Sequence, residues 1–460
     1  VSLGADLPAL EQVNGHLEFT EASVVIPRIT ALALGGPASI SGATQKDGSV
    51  RINAQGRAIA AGMRSLADQQ IIRNVSGAAD WRGVISIRKK QADMQLESSL
   101  VGLAVNLPAP FGKKAADTVQ LRFEKKIMGA KQDLLLLNYG KTLAAVLSRN
   151  IENGKAAIER GEVVLGASAV LPPQPGIWLR GELATLDLDH WRGILGQPST
   201  NASSLPGVAG LNLKLGAVDA YGKRFNDFRV SAKMQEGTWQ AKKESRELSG
   251  SVSWNPEGRG RLQARLGHLT IPDPAPAKLG EPTEAPLEKE LPALDVIADS
   301  FSVKQKKLGK LELVAVQEDE DWRIEKLRVS NPDGSLQMDG LWQGWRRRPM
   351  TNANLHLEAQ DVGKLLTRLG YPDAVKRGTA KLEGELSWAG SPHDIDFPSL
   401  AGNLKLEAKN GQFQKIEPGA GKLLGLLSLQ ALPRRITLDF RDVFSEGFAF
   451  DSISGAAQIN

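Results

Sequence analysis

The chain has 460 residues, room for two to four ordinary domains or for one elongated architecture. Hydrophobic residues make up 41%, aromatic residues only 5%, and there are 47 glycines, a balance that fits many short strands and turns better than a large helical core. The net charge of +5 is spread over mixed signs with no long basic block, which disfavours nucleic acid, and the absence of cysteine excludes disulfides and thiol chemistry.

Val1 opens no charged, apolar leader, and no run of about eighteen apolar residues follows anywhere. Because Val1 is not an initiator methionine and the chain stops inside a strand pattern, it is expected to be a piece of a longer protein. From Val13 a short device recurs: an aliphatic residue, any residue, Gly, three variable residues, then a large apolar one. It reads VNGHLEF (13–19), VSGAADW (75–81), LSGSVSW (248–254), LEGELSW (382–388), LAGNLKL (400–406) and ISGAAQI (453–459). The spacings are irregular, so this is no fixed-period solenoid. It predicts strands whose Gly relieves crowding where the sheet bends.

Between the copies, short alternating or apolar runs predict strands at 17–26, 48–54, 94–100, 118–123, 161–165, 176–188, 211–215, 225–232, 311–316 and 322–329. Turn pairs such as Asp47-Gly48 and Asp333-Gly334 bound them, the pattern of an antiparallel meander. Helices are expected only at 141–148, 190–195, 361–369 and 419–432. At LATLDLDHWRGILG and LHLEAQDVGKLLTRLG a strand ends in an Asp that can cap one or two helical turns, suited to plugging sheet edges or ends. Residues 271–294 carry six prolines and read as a loop or linker between segments 1–270 and 295–460, with one sheet continuing past it the equal alternative.

Chemistry finds no home. The five histidines are scattered without metal-ligand spacing, and His393, Asp394 and Asp396 read as a solvated turn. No nucleophile elbow, P-loop or dinucleotide fingerprint is present. Thus no catalytic residue, metal ligand or cofactor is assigned. Trp342 and Trp345 beside Arg346, Arg347 and Arg348 read first as a charged hairpin tip, and second as a lipid-headgroup contact.

The last stretch, 411–456, changes pattern three times. Leu423, Leu424, Leu427 and Leu432 belong to a compact apolar helix (420–432) that Pro433 ends, too short to cross a bilayer. Ile436, Leu438 and Phe440, then Phe448 and Phe450, return to a two-residue period. The run PGAGKLLGLLSLQALPRRITLDFRDVFSEGFAFDSISG resembles the C-terminal region of the YhdP branch of the AsmA-like superfamily, long envelope proteins of Gram-negative bacteria. LGGP (34–37), SLVGLAVNLPAPFGK (99–113), LDLDHW (186–191), DVGKLLTRLGY (361–371) and LSWAGSP (386–392) are similar to further segments of that family in the same order.

So many half-apolar strands must cover their greasy faces with helices, a second sheet or a ligand, and the helices are too few. Periodicity alone leaves a closed sandwich and an open trough equally possible. The resemblance implies the second: a mainly β, long curved antiparallel meander forming an open groove with an apolar floor, a few short helices capping edges and ends. It further implies a periplasmic, non-catalytic conduit carrying phospholipid between inner and outer membranes. Such a protein would be anchored in the inner membrane by an N-terminal helix not present in this chain, and would meet envelope protein partners. The alternative is an envelope scaffold or assembly factor whose apolar faces pack internally. Leu311, Leu313, Leu355, Leu357, Leu404, Leu406, Ile436, Leu438, Phe440, Phe448 and Phe450 are the floor candidates, their face set only to within one register step. The 420–432 helix is the expected groove end.

Overall fold

The alternation of apolar and polar residues produces strands nearly throughout. The computed structural model describes residues 9–64, 70–89, 91–152, 155–195, 207–220, 222–272, 291–344, 348–392, 395–414 and 448–459. The chain divides into two compact units, Val1–Met234 and Gln235–Asn460.

The first unit contains β1 (Glu11–Gly15), β2 (Glu18–Phe19), β3 (Val24–Ala33), β4 (Gly36–Thr44), β5 (Val50–Ile59), α1 (Ala60–Arg64), α2 (Gln70–Arg73), β6 (Val75–Arg88), β7 (Gln91–Ser98) and β8 (Leu103–Val105). It continues with β9 (Leu121–Ile127), β10 (Gln132–Tyr139), β11 (Leu143–Glu152), β12 (Lys155–Leu165), β13 (Gly176–Asp187), α3 (Leu188–Leu195), β14 (Val208–Ala220) and β15 (Lys223–Gln235). From β3 to β7, β7 to β9 and β9 to β12 each strand pairs antiparallel with the next. β12–β13 and β13–β14 are parallel, because residues 166–175 and then α3 carry the chain back before the next strand starts. The small β8 pairs with the start of β6.

The expected helix at 141–148 is instead the start of β11. Ala144, Val146 and Ser148 are buried on one face where the 166–175 crossover folds back, its Val170 N–H donating to Glu162 at 3.0 Å. Leu143, Ala145 and Leu147 lie half-buried on the other. A strand covered on both faces loses its two-residue signature.

The second unit holds β16 (Thr238–Glu244), β17 (Leu248–Asn255), β18 (Arg261–Ile271), β19 (Ala293–Val303), β20 (Lys306–Glu318), β21 (Asp321–Asn331), β22 (Gly334–Gln343), β23 (Met350–Ala359), α4 (Val362–Arg368), β24 (Val375–Ala389), β25 (Ala401–Phe413) and β26 (Phe448–Ile459). All neighbours are antiparallel except β18 and β19. Those two run parallel in direct register, Ile271 opposite Val303, so the Pro-rich stretch connects adjacent strands of this unit.

At two copies of the recurring device the glycine stands where the sequence predicts crowding or a bend. At Gly250, with φ +145°, the β17–β18 register shifts, and at Gly402, with φ +148°, a side chain would strike the Glu385 carbonyl of β24. Both helices expected to follow a capping Asp are present. Asp187 accepts the His190 N–H at 3.0 Å before α3, and Asp361 accepts the Lys364 N–H at 3.0 Å before α4.

Candidate functional site: the apolar faces

Tracing register partners strand by strand shows one continuous apolar row in each unit. In the first it runs Ile40, Ala54, Gly83, Leu96, Phe123, Leu137, Ala145, Val163, Leu179, Leu211 and Ala232, one residue from each of eleven strands. In the second it runs Ala241, Val252, Ala264, Val296, Leu313, Leu327, Met338, Leu355, Gly384, Leu404 and Ala457. At the spacing of paired strands each row is about 50 Å long. A parallel row two residues away in the second unit passes through Leu266, Ala298, Leu311, Val329, Leu336, Leu357, Leu382 and Leu406.

Among the described residues the strands of each unit join edge to edge in a single sheet, with no separate second sheet facing it. The faces are concave. In the first unit α2 and α3 touch although β6 and β13, the strands they adjoin, stand six places apart. In the second, α4 reaches from β24 to β20, and Arg368 donates to Asp333 and to the Lys307 carbonyl. The floor is unevenly filled. Val252, Ala264, Leu266, Val296, Ala298 and Leu311 pack on one another and are buried, whereas Leu355, Leu357, Leu404 and Leu406 are half-exposed.

One end of each face is closed by chain. In the first unit the segment 99–119 leaves β7 and crosses inward. Phe111 packs against the cluster of Leu165, Leu213, Leu215 and Val218 and stands edge-on to Trp191 of α3 at 5.5 Å. Lys113 pins this plug: its ammonium donates to the carbonyls of Leu100 (2.8 Å), Leu103 and Lys114 (2.9 Å), and burial pushes its pKa down. In the second unit α4 takes that place, and the end away from α4 carries tryptophans. Trp239 pairs with Trp254, Trp322 with Trp342, and Thr351 with Trp388. Trp322 and Trp388 donate to the Pro292 and Ser391 carbonyls at 2.8 and 3.0 Å, while the Trp342 indole N–H is buried without a partner.

The floor candidates divide accordingly. Leu311, Leu313, Leu355, Leu357, Leu404 and Leu406 share one face of the second unit. Phe450 lies past Asn410, whose φ of +54° breaks the two-residue alternation of β25; its ring lies over Gly411 and 5.2 Å from that of Phe413. Phe448 registers opposite Phe413. Ile436, Leu438 and Phe440, with Leu423, Leu424, Leu427 and Leu432, lie outside the described residues, as do His393, Asp394, Trp345, Arg346 and Arg347. Trp342 is no hairpin tip: it is 2% exposed, within the floor. Sequence reasoning passed over the 99–113 plug and the tryptophan row. Part of the signal for the latter was present, since Trp254 and Trp388 end copies of the glycine device, four residues after Gly and so on its face.

Among the described residues no three His, Asp or Glu side chains gather to hold a metal, and no helix is long and apolar enough to cross a membrane. Ser249 and His268, 2.8 Å apart, are register partners on the face opposite the floor.

The family model described as YhdP protein matches residues 1–460. The chain belongs to the YhdP family. A curated relative, the intermembrane phospholipid transporter YhdP of Escherichia coli (strain K12), is 20% identical over 474 residues, covering 98% of this chain and 37% of that protein. The chain thus spans just over a third of the length of the curated relative it matches. No solved structure matches. Three of the YhdP-like segments sit at joints of the fold: 99–113 is the plug, 186–191 starts α3, and 361–371 is α4 with its cap.

Proposed function

We propose that this chain is a non-catalytic, periplasmic segment of a bridge-like protein that holds phospholipid acyl chains along its apolar faces on their way between the two membranes. The observation that carries the proposal is the uninterrupted apolar row across eleven strands of each unit, in strands that join edge to edge in a single sheet. An acyl chain lying there is shielded at about 0.8 kcal/mol per buried methylene while its head stays wet. The name of the Escherichia coli relative and the family membership support the same reading.

The test uses photo-crosslinking residues placed at Leu357 and Leu404 on the floor and at Lys405 and Glu407 on the opposite face. The floor positions are expected to capture phospholipid in cells and the others not. Equal labelling of both faces, or protein purified without any lipid, sinks the conduit and leaves an envelope scaffold whose apolar residues pack on themselves.

A further inference from the structure

One row of register partners in the second unit carries a hydrogen-bond donor on every strand from β20 to β24. Gln317 of β20 faces Trp322 of β21, Trp322 faces Trp342 of β22, Trp342 faces Thr351 of β23, and Thr351 faces Trp388 of β24. On one side the chain entering β19 accepts from the row: Gln317 Nε2 donates to the Leu291 carbonyl at 2.6 Å and Trp322 Nε1 to that of Pro292 at 2.8 Å. On the other side the chain leaving β24 does the same, with Thr351 Oγ1 donating to the Gly390 carbonyl at 2.9 Å and Trp388 Nε1 to that of Ser391 at 3.0 Å. Between these two pairs stands Trp342, 2% exposed, whose indole N–H has no partner.

A buried donor left unpaired is costly, and an indole can only donate. Its neighbours on both sides are satisfied by backbone, so the unpaired N–H is not a general looseness of this end. Trp81 and Trp191 of the first unit are also buried without a partner, but Trp81 registers opposite Gly56 and Trp191 lies on α3, so neither stands in a row of bonded donors.

The surroundings decide which acceptor fits. The row contains no charged side chain, so an anion brought to Trp342 would be buried without a counter-ion, at a greater cost than one hydrogen bond returns. A neutral carbonyl oxygen carries no such penalty. Inward of Trp342 lie Leu313, Leu327 and Met338, packed against the Trp322 and Trp342 cluster and only half-buried; outward, β22 ends one residue later at Gln343. Apolar tail and polar head meet at such a boundary, and the neutral acceptors of a diacyl lipid, its ester carbonyls, lie at that junction. The unbranched Met338 can turn aside to let an occupant of the floor reach the ring.

We propose that the Trp342 indole N–H donates to a glycerol-ester carbonyl of a diacyl lipid lying on this floor, fixing how far along the strands the tails extend before the head begins. The inference rests on the lipid-holding reading above and adds to it the atom that sets the lipid's depth.

The test uses the full chain, delipidated, with a photo-crosslinking residue at Leu355 so that the floor of the second unit is read. Vesicles of ether-linked phosphatidylcholine carry either ester-linked phosphatidylglycerol or its ether-linked counterpart, which lacks only the carbonyl oxygens. Wild type is expected to reach half-maximal capture at about fivefold lower mole fraction of the ester lipid, equivalent to about 1 kcal/mol. Trp342→Phe keeps a ring and removes the N–H; it is expected to bring the two lipids within about twofold by weakening the ester lipid alone. Trp322→Phe, whose N–H is already engaged by Pro292, is expected to keep the preference; both variants are checked by a cooperative melt. A folded Trp342→Phe that retains the preference or weakens both lipids equally overturns the contact, as does wild type without a preference. Loss of the preference in Trp322→Phe as well assigns it to ring packing and overturns the contact too. Wild type with nitrogen-labelled tryptophan gives a check that needs no variant: one indole N–H resonance is expected to move downfield with the ester lipid and not with the ether lipid, and no such resonance overturns the contact. Capture of neither lipid defeats the lipid-holding reading itself, a different result.

Discussion

A methyl group added at Gly402 would collide with the Glu385 carbonyl and would also have to adopt φ +148°, whereas one added at Gly455 meets nothing within 4 Å. Both glycines occupy the third place of the same seven-residue device. Gly402→Ala is therefore expected to cost about 2 kcal/mol or more and Gly455→Ala less than about 0.5 kcal/mol, measured by urea unfolding. Equal costs would mean that the device marks composition and not crowding. Charge at single residues sets a second expectation. Lys310 and then Lys326, both bonded to Glu312, lower its pKa to about 2. A carboxylate depressed on folding adds stability above its unfolded value near 4.5, lost as pH falls toward 2. Glu312→Gln should lower stability by about 0.5–1 kcal/mol at pH 7, the discounted range for a solvent-accessible network, and the deficit should shrink through that window. A deficit unchanged at pH 2.5 removes the ion pairs as its cause.

Elements were legible where one face alone is covered. The alternation in LEGELSW and LAGNLKL is the alternation of floor and solvent in β24 and β25, and the two Asp-capped helices stand where the local sequence puts them. It failed at β11, where Ala144 and Val146 are sealed by a crossover that no local pattern announces. The buried Asp133 of β10, which accepts two hydrogen bonds from Arg149 of β11, was hidden because only register brings the two together. The plug at 99–113 lacks periodicity because its side chains serve a floor built by other strands. At this scale α4 is the clearest lever. Asp361 accepts the Lys364 N–H and pairs with its ammonium at 3.4 Å, so Asp361→Ala should cost about 1 kcal/mol and loosen the end of the second unit. Hydrogen exchange should rise at Leu365 and Leu369 N–H, which bond within that turn, and not in β22; a uniform rise would show that α4 has no local role.

For the whole molecule the decisive property is that the apolar rows repeat strand after strand with little change in polarity. In the proposed conduit, a tail shifted by one strand, about 4.8 Å, among the half-exposed rungs at Leu355, Leu382 and Leu404 would meet a similar set of apolar side chains, so that little free energy would oppose the step. The same surface leaves Leu355, Leu357, Leu404 and Leu406 half-exposed when nothing lies on it. Occupancy must then stabilise the fold by mass action: ligand at a hundred times its dissociation constant adds about 2.7 kcal/mol. For units of this size that corresponds to a rise in Tm of about 5–10 °C on adding phospholipid to the delipidated chain. Tryptophan fluorescence reads the second unit well, since Trp239, Trp254, Trp322, Trp342 and Trp388 all stand at one end of its floor. Leu357→Glu/Leu406→Glu, two strands apart in the same row with Leu382 between them, should abolish the rise while leaving the lipid-free melt cooperative. If delipidated and lipid-supplied wild type melt together, the half-exposed floor needs no occupant, and the faces are scaffold.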